Sequence, residues 1–306
     1  MNDPVILAHD LAKTFHGGHI AVNGLDLSVP RGCVYGLIGR NGAGKTTTLR
    51  MLMGLLHPTR GSASLLGHSM WTAPRAIRQR IAYVSQEHQL PAARCTAQMC
   101  LDLAKVHDRW DMAAAGRLAD RFGIRTDAPM AALSGGEQRK VAVLLAIASC
   151  PDVLILDEPA AGLDPIARRH LLEEFIEFLG DGGERTVLFS THIIEDLERV
   201  AEHVGIIDRG RMVTGGRIDD LQAGTRRVQI IFPGTAVPEG FRIPGTLRSH
   251  SDGAVLTAVV RLDNPATLDP LRAQPGLRVT DFPLGVQDLF IDLLDQPTTA
   301  PALAWT

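Results

Sequence analysis

A glycine-rich loop at residues 39–46, with the sequence GRNGAGKT, has the residue types and the spacing that hold phosphate groups. It fits the pattern G-x-x-x-x-G-K-[ST], whose glycines let backbone N–H groups turn toward phosphate oxygens. In such a loop Lys45 would reach the β- and γ-phosphates, and the Thr46 hydroxyl would bind Mg²⁺. The apolar run 34–38 predicts a buried strand before the loop, and residues 47–53 can form a helix after it. In this context the pattern predicts a nucleoside triphosphate site rather than a chance glycine-rich turn.

A second chemical feature is the pair of carboxylates Asp157 and Glu158, which directly follow the apolar run 153–156. A buried strand of this kind would carry both acids to the phosphate site. There Asp157 would hold Mg²⁺ through a water molecule, and Glu158 would polarise the attacking water as a general base. Two acids that merely end a strand are the alternative interpretation.

A third feature is the run Ser134, Gly135 and Gly136 just ahead of an apolar helix predicted from Val141 onward. The N-terminal end of a helix attracts anions through its free N–H groups and its dipole. Since the chain already has a phosphate loop, this second helix end indicates a nucleotide bound by another subunit. A simple helix cap is the alternative.

Length, composition and charge limit the class of protein. The chain has 306 residues, of which 45% are hydrophobic, enough for a buried core and more than one domain. A net charge of −3 argues against nucleic acid as the main partner. The four cysteines form no C-x-x-C pair, which argues against a zinc site or a disulfide framework. With no signal peptide or apolar run long enough to span a membrane, a role at a membrane is expected to depend on a partner.

The elements that must position these residues are predicted from the hydrophobic pattern. Residues 5–35 alternate short apolar runs with turn residues, which indicates an antiparallel β-meander leading into the strand of the glycine loop. Residues 91–150 are rich in alanine, leucine and charges with helical periodicity, which predicts a helical insert. Further strands are expected over 61–67, 81–84, 153–156, 186–190 and 204–207, and further helices over 165–179 and 193–202.

The composition changes again near 215–226, where glycines and arginines cluster. We therefore expect a first domain over 1–220, a small α+β domain over 225–296, and a disordered tail over 297–306. Strands of the small domain are expected over 228–232, 246–250 and 254–261, with a hairpin turn at 251–253. One apolar helical face near its end comprises Val286, Leu289, Phe290, Leu293 and Leu294.

Taken together, the motifs resemble those of the ATP-binding cassette (ABC) ATPases, the nucleotide-binding subunits of ABC transporters. The resemblance covers residues 5 to about 220, with the motifs in the family's order and spacing. It implies an α/β P-loop NTPase fold, with a mixed sheet core, an antiparallel β subdomain and a helical insert. It also implies ATP and Mg²⁺ as ligands, and ATP hydrolysis coupled to transmembrane transport.

The resemblance adds residues that chemistry alone does not single out. Phe15 stands where the family places an aromatic ring that stacks on adenine, although Tyr is more usual there. Gln86 matches a glutamine that senses Mg²⁺ and the γ-phosphate and links to the transmembrane partner. Asp164 lies in the segment 162–164, which matches a loop that crosses the dimer interface. His192 matches a switch histidine that contacts the γ-phosphate, whereas by itself it would be a strand-end histidine.

The expected site residues fall into three groups. Catalytic roles are expected for Lys45, Gln86, Glu158 and His192. Metal-binding roles are expected for Thr46, Gln86 and Asp157. Contact with the nucleotide is expected for Phe15, Gly39, Asn41, Gly42, Ala43, Gly44, Lys45, Thr46, Thr47, Ser134, Gly135, Gly136 and Asp164.

The family's mode of assembly implies a dimer of cassettes packed head to tail around two ATPs. Each ATP would meet Lys45 and Glu158 of one subunit and Ser134 and Gly136 of the other. The motifs are intact here, so a second copy of this chain fits. A related cassette as partner remains an alternative.

The C-terminal segment 282–290 resembles that of ATPase subunits of ABC-2-type exporters, which work with separately encoded permeases. We therefore expect a cytoplasmic protein held at the inner face of the membrane by a permease, with no nucleic-acid partner. Residues 87–99 would meet that permease, with Glu87, His88 and Gln89 exposed, although an ordinary solvated loop is the alternative.

Three other classes of protein share part of this motif set. One is a soluble ABC ATPase acting on nucleic acid or ribosomes, and another is an importer ATPase. Both remain alternatives to the exporter. A kinase with the same phosphate loop is the third, and the motifs at 134–136 and 157–158 argue against it.

Overall fold

The computed structural model of the chain describes residues 4–87, 90–180, 184–234, 236–262 and 264–295. The chain divides into two compact units, Met1–Met212 and Val213–Thr306. The tail expected over 297–306 lies outside the described residues.

The first unit alternates strands and helices along the chain. Its strands are β1 (Pro4–Thr14), β2 (Ile20–Pro30), β3 (Val34–Ile38), β4 (Arg60–Leu65), β5 (Ile81–Val84), β6 (Val153–Asp157), β7 (Thr186–Thr191), β8 (His203–Asp208) and β9 (Arg211–Arg217). Its helices are α1 (Lys45–Leu52), α2 (Arg75–Arg78), α3 (Thr96–Ala104), α4 (Met112–Phe122), α5 (Gly135–Ala148), α6 (Pro165–Leu179) and α7 (Ile194–Val200). The last strand, β9, carries the chain across the boundary between the units.

A three-stranded antiparallel sheet with the order β2-β1-β4 begins the first unit. Along β2, Leu25, Leu27 and Val29 are buried while Asp26 and Ser28 are exposed, the alternation of a sheet with one face on the core. The short apolar runs expected within 5–35 are therefore joined into two long strands. The strand that leads into the glycine loop, β3, belongs to a different sheet.

The second sheet of this unit has six strands in the order β5-β6-β7-β3-β8-β9. The pairs from β5 through β8 are parallel, and β6 and β7 are buried along their whole length, as their continuous apolar runs predicted. Because parallel strands end at the same edge of a sheet, the residues that follow them converge. The glycine loop follows β3, Asp157 ends β6, Thr191 ends β7, and Gln86 lies just past the end of β5.

The helical insert expected over 91–150 contains α3, α4 and α5. Helix α4 packs against α5 and also against α6, which returns the chain to the large sheet. Helix α5 is closed at its start by a capping box, in which Ser134 and Glu137 bond each other's backbone N–H. Within the described ranges, no helix combines the length and apolar composition needed to cross a bilayer.

The second unit is a four-stranded antiparallel sheet with helices. Its elements are α8 (Ile218–Gly224), β10 (Thr225–Ile231), β11 (Thr246–Asp252), β12 (Val255–Arg261), α9 (Asp269–Arg272), β13 (Arg278–Pro283) and α10 (Val286–Asp295), with the strand order β11-β12-β10-β13. Helix α10 contacts β11 and β12, and three of the five residues expected on its apolar face are buried, namely Leu289, Phe290 and Leu293. The side chains of Val286 and Leu294 lie outside the described part.

The expected hairpin of β11 and β12 is confirmed, but its turn lies at 253–254 rather than 251–253, because Ser251 and Asp252 still pair with β12. Two elements differ from expectation. The glycine-rich stretch near 215–226 predicts a break in the chain, but Gly215 and Gly216 lie within β9. Strand β13 was not predicted because its residues are mostly exposed and lack the apolar alternation that marks a strand.

Candidate nucleotide-binding site

The glycine loop lines a cavity of about 280 Å³ at the carboxyl edge of the large sheet. Most of the residues expected to bind nucleotide lie on its wall. The lining residues are Phe15, His19, Ala21, Asn41, Gly42, Ala43, Gly44, Lys45, Thr46, Thr47, Gln86 and Glu158.

The shape of the loop depends on its glycines. Gly42 and Gly44 have φ values of 80° and 105°, in the left-handed region that favours glycine. A Cβ on Gly39 would lie 2.4 Å from the Ile207 carbonyl oxygen, so that position also excludes a side chain. Gly44 caps α1 without a side-chain hydrogen bond, and the first turn of the helix carries no acid. The N-terminal N–H groups of α1 are therefore suited to an anion.

Lys45 is 5% exposed, and its ammonium group contacts three acceptors. Its Nζ donates to the carbonyl oxygens of Gly39 at 2.7 Å and Arg40 at 3.3 Å, and it lies 3.1 Å from Glu158 Oε1. A lysine ammonium has three protons. A phosphate oxygen that binds Lys45 must therefore replace one of these contacts.

The two acids at the end of β6 are joined through Ser190 of β7. Ser190 Oγ donates to Asp157 Oδ1 at 2.6 Å and accepts from the Glu158 backbone N–H at 2.9 Å. Asp157 is 1% exposed, and its second oxygen, Oδ2, is buried with no hydrogen-bond partner among the described residues. A buried carboxylate oxygen of this kind is suited to accept a hydrogen bond from a metal-bound water.

Glu158 adopts a strained backbone conformation, with a φ of 51° that few residues other than glycine tolerate. Its carboxylate is held from two sides. Oε1 pairs with Lys45, and Oε2 lies 2.8 Å from Nδ1 of His192, which is partly exposed. Lys45, Glu158 and His192, expected as catalytic residues, therefore form one contact chain.

Phe15 lies at the mouth of the cavity and is 40% exposed. Its ring is nearly parallel to that of His19, with 6.5 Å between centroids, and Lys13 Nζ lies 5.5 Å from the Phe15 centroid. The position is suited to stack on a nucleobase. His19 was not among the expected site residues. The Gly17-Gly18 pair between the two rings was the signal, because it closes a hairpin that sets Phe15 opposite His19.

Five of the expected nucleotide contacts do not line the cavity: Gly39, which begins the glycine loop, and Ser134, Gly135, Gly136 and Asp164. The last four lie elsewhere in the chain. In the single chain they open helices. The Ser134 backbone N–H donates to Glu137 Oε2, and this contact lowers the pKa of Glu137. The Asp164 carboxylate accepts hydrogen bonds from the N–H groups of Ala167 and Ile166. Both lower the pKa of Asp164, and the bond from Ala167 has the larger effect. Gly136 lies against the 162–164 loop, where an added Cβ would be 3.3 Å from the Gly162 oxygen.

Glu87, which begins the segment expected to meet a permease, is exposed, as is the preceding Gln86, whereas His88 and Gln89 lie outside the described residues. The Gln86 carbonyl oxygen accepts a hydrogen bond from Arg139 of α5 at 3.0 Å.

Comparison with known proteins agrees with this geometry. Residues 22–161 match the family model described as ABC transporter. The Nod factor export ATP-binding protein I of Burkholderia orbicola (strain AU 1054) is 34% identical over 286 residues, which cover 91% of this chain and 93% of that protein. The chain belongs to the ATP-binding subunits of ABC transporters. It is therefore an ATPase that binds ATP.

Two further comparisons place this ABC ATPase among transporter subunits. The daunorubicin/doxorubicin resistance ATP-binding protein DrrA of Streptomyces peucetius is 32% identical over 308 residues, covering 94% of this chain and 91% of that protein. A solved structure of an ATP-binding subunit of an ABC transporter matches 72% of this chain and 92% of its own, with a TM-score of 0.64 and 30% identity. The family, the α/β P-loop fold and the ATPase activity expected from the sequence are thus confirmed.

Proposed function

We propose that this ABC ATPase binds ATP with Mg²⁺ in the cavity of the glycine loop and drives export through a separately encoded membrane permease. The observation that carries the proposal is the contact chain of Lys45, Glu158 and His192. Lys45 and Glu158 line that cavity, and His192 contacts Glu158 from outside the lining. The export direction is supported by relatives named for Nod factor export and for drug resistance.

Each member of the contact chain has a separate task in the proposed reaction. Lys45 leaves Glu158 to bind the β- and γ-phosphates. Glu158, released from the lysine, accepts a proton from the water that attacks the γ-phosphorus. His192, next to Glu158, stabilises the γ-phosphate and keeps the carboxylate in position.

The donor set is suited to Mg²⁺, a hard cation that binds few protein oxygens and keeps several waters. Thr46 and Gln86 line the cavity, and Oδ2 of Asp157, which has no partner among the described residues, supplies a buried acceptor for a coordinated water. These three residues would hold the ion, which would neutralise charge on the phosphates when bound.

We propose that a second cassette completes the site. Ser134, Gly135 and Gly136 lie at an anion-attracting helix end but do not line the cavity of their own chain. In a head-to-tail pair they reach the nucleotide of the partner, and Asp164 lies in the loop that meets it. A second copy of this chain fits as the partner because both halves of the site are intact.

At the level of the whole chain, we propose a cassette over 1–220 and an α+β domain over 225–296. Residues 87–99 form the contact with the permease, and this contact holds the ATPase at the inner face of the membrane. The exposed position of Gln86 and Glu87 supports an intermolecular contact there. We expect no nucleic-acid partner, in keeping with the net charge of −3.

Replacing Glu158 by Gln tests the proposed chemistry. The variant should bind ATP and accumulate as an ATP-bound dimer, because the amide cannot accept the proton of the attacking water. Steady-state hydrolysis should fall by about 10²–10⁴-fold. The measurements are ATP turnover and molecular mass by light scattering, with and without ATP.

Glu239→Gln makes the same chemical change on an exposed residue of the second unit and serves as the control. Wild-type turnover in Glu158→Gln would contradict the catalytic assignment. Co-purification with a multi-span membrane protein, and stimulation by it, would support the exporter. Turnover stimulated by nucleic acid instead would support a soluble ABC ATPase.

A further inference from the structure

The guanidinium group of Arg139 joins three segments of the candidate site. Arg139 lies in the second turn of α5, the helix that begins with the Ser134–Gly136 motif. One of its terminal nitrogens donates to the Gln86 carbonyl oxygen at 3.0 Å, and the other donates to the Ala161 carbonyl oxygen. One rigid, planar group therefore fixes the backbone of two loops relative to α5.

The neighbouring polar residues of α5 make different contacts. Gln138 donates to the Met130 and Leu133 carbonyl oxygens, within the segment that precedes the helix. Lys140 donates to the Phe122 carbonyl oxygen at the end of α4. Of the residues 138–140, Arg139 is the one whose described contacts reach the loops beside the nucleotide cavity.

A second contact joins the start of α5 to the loop that contains Ala161. Gly136 packs so closely on the Gly162 carbonyl oxygen that an added Cβ would lie 3.3 Å from it. The Ala161 N–H in turn donates to the Glu158 carbonyl oxygen at 3.1 Å. A displacement of α5 is therefore transmitted through this loop to the backbone of Glu158.

The charge of Arg139 also acts on both carboxylates of the site. Burial lowers the pKa of Arg139, while the Glu158 and Asp157 carboxylates oppose that effect. Its Nε is buried and has no hydrogen-bond partner within the part of the chain that the structure describes. The positive charge of Arg139 therefore stays close to Glu158 when a phosphate replaces Glu158 as the partner of Lys45.

We propose that Arg139 is a positioning residue that couples the Ser134–Gly136 end of α5 to Gln86 and Glu158 of the same subunit. When the nucleotide of the second subunit binds this end of α5, Arg139 moves with the helix and sets the two loops in the geometry for hydrolysis. The inference rests on the proposed head-to-tail dimer. It makes each site sensitive to the nucleotide bound at the other.

The test compares Arg139→Met, which removes the charge and both hydrogen bonds, with Arg139→Lys, which keeps the charge but loses the planar fork. Steady-state hydrolysis is measured against ATP concentration, together with ADP affinity and melting temperature. The kcat of Arg139→Met should fall by about 10–100-fold, since small misplacements of catalytic groups have effects of this size. The Hill coefficient for ATP should fall toward one, and Arg139→Lys should lie between Arg139→Met and wild type.

ADP affinity should change less than kcat in both variants, because ADP binds the glycine loop without the second subunit. Lys140→Gln is the matched control, because it removes a contact of the adjacent residue to α4. This control should keep the kcat and the Hill coefficient of wild type. A purely structural role would lower ADP affinity and melting temperature in step with kcat, and that result would overturn the inference.

If Arg139→Met fails to fold, Arg139→Lys is compared with wild type instead, provided that the two proteins have the same melting temperature. If hydrolysis depends on Glu158 but Arg139→Lys keeps the kcat and the Hill coefficient of wild type, the inference is overturned and the proposed function stands. If hydrolysis by the wild-type protein does not depend on Glu158, both the inference and the proposed function are overturned.

Discussion

At the scale of single residues, the site is built around two acids in unlike environments. Asp157 is fixed by Ser190 and keeps one buried oxygen that no described residue bonds, whereas Glu158 is held by Lys45 and His192. Along an extended strand neighbouring side chains point to opposite faces of the sheet, and the positive φ of Glu158 ends that alternation directly after β6. Neighbouring acids can thus take the separate roles of metal ligand and base.

Ser190→Ala should impair hydrolysis and stability together. The substitution removes the donor to Asp157 Oδ1 and the acceptor for the Glu158 N–H, and leaves both groups buried. The free energy of unfolding should fall by about 1–3 kcal/mol, the usual effect of a buried polar group without its partner. ATP turnover and urea unfolding provide the measurements.

Ser149→Ala is a suitable control because Ser149 is also buried. Among the described contacts, its hydroxyl bonds only the Ala146 carbonyl oxygen. It should leave turnover unchanged. A Ser190→Ala variant with normal turnover would show that the hydroxyl does not position the acids.

At the scale of elements, α6 and α7 brace the carboxyl end of β7. Helix α6 begins at the Asp164 cap, and its Arg168 pairs with Asp196 of α7. Asp196 is 1% exposed, and its Oδ2 lies 3.5 Å from the hydroxyl of Thr191, which directly precedes His192. The ion pair thus connects the start of α6 with the strand end that positions the histidine.

Arg168→Ala should destabilise the protein strongly and in a pH-dependent way. Burial raises the pKa of Asp196 above its ordinary value of 3.8, and Arg168 opposes that rise. Because the pKa of Asp196 is raised in the folded protein, its ionised carboxylate destabilises the fold once the pH rises above that pKa. Without Arg168 the loss should therefore be largest at neutral pH, about 3–5 kcal/mol, and should shrink toward pH 4.

Urea unfolding of Arg168→Ala at neutral and acidic pH measures this effect. Arg169→Ala on the same helix is the control, since Arg169 is 66% exposed and its pair with Glu173 should contribute less than about 1 kcal/mol. A loss of stability in Arg168→Ala that grows on acidification would contradict the prediction.

At the scale of the whole molecule, the chemistry and the second unit occupy separate parts of the chain. Every expected site residue lies within Met1–Met212. The second unit has its own apolar core, which includes Val228, Ile230, Leu256 and Val260. Such a division allows the nucleotide site to be tested apart from the C-terminal sheet.

A chain of residues 1–217, which ends with β9, should fold and bind ADP within about tenfold of the full-length affinity. Its large sheet and all lining residues of the cavity are retained. Calorimetric titration with ADP measures the affinity. A chain that ends at Val200 is the control, because it lacks β8, which pairs directly with β3. Loss of ADP binding in the 1–217 chain would show that the site depends on the second unit.

Much of the fold was predictable because its signals are local. The apolar runs of β3, β6 and β7 reflect strands buried on both faces, and the capping residues Ser134 and Asp164 mark where helices begin. Strands β9 and β13 were missed because glycines and exposed side chains remove the apolar alternation. In both, pairing with neighbouring strands outweighs the weak local preference.

By itself, the sequence determined the family, the ATP-binding loop and the identity of the acids, because each depends on a short run of residue types. The tertiary structure alone decided how these groups meet. Ser190 joins Asp157 to Glu158, and Arg139 holds Gln86, through hydrogen bonds between residues far apart in the chain. Their meeting depends on the order of parallel strands in the large sheet, and that order is set by packing over the whole unit rather than by any local pattern.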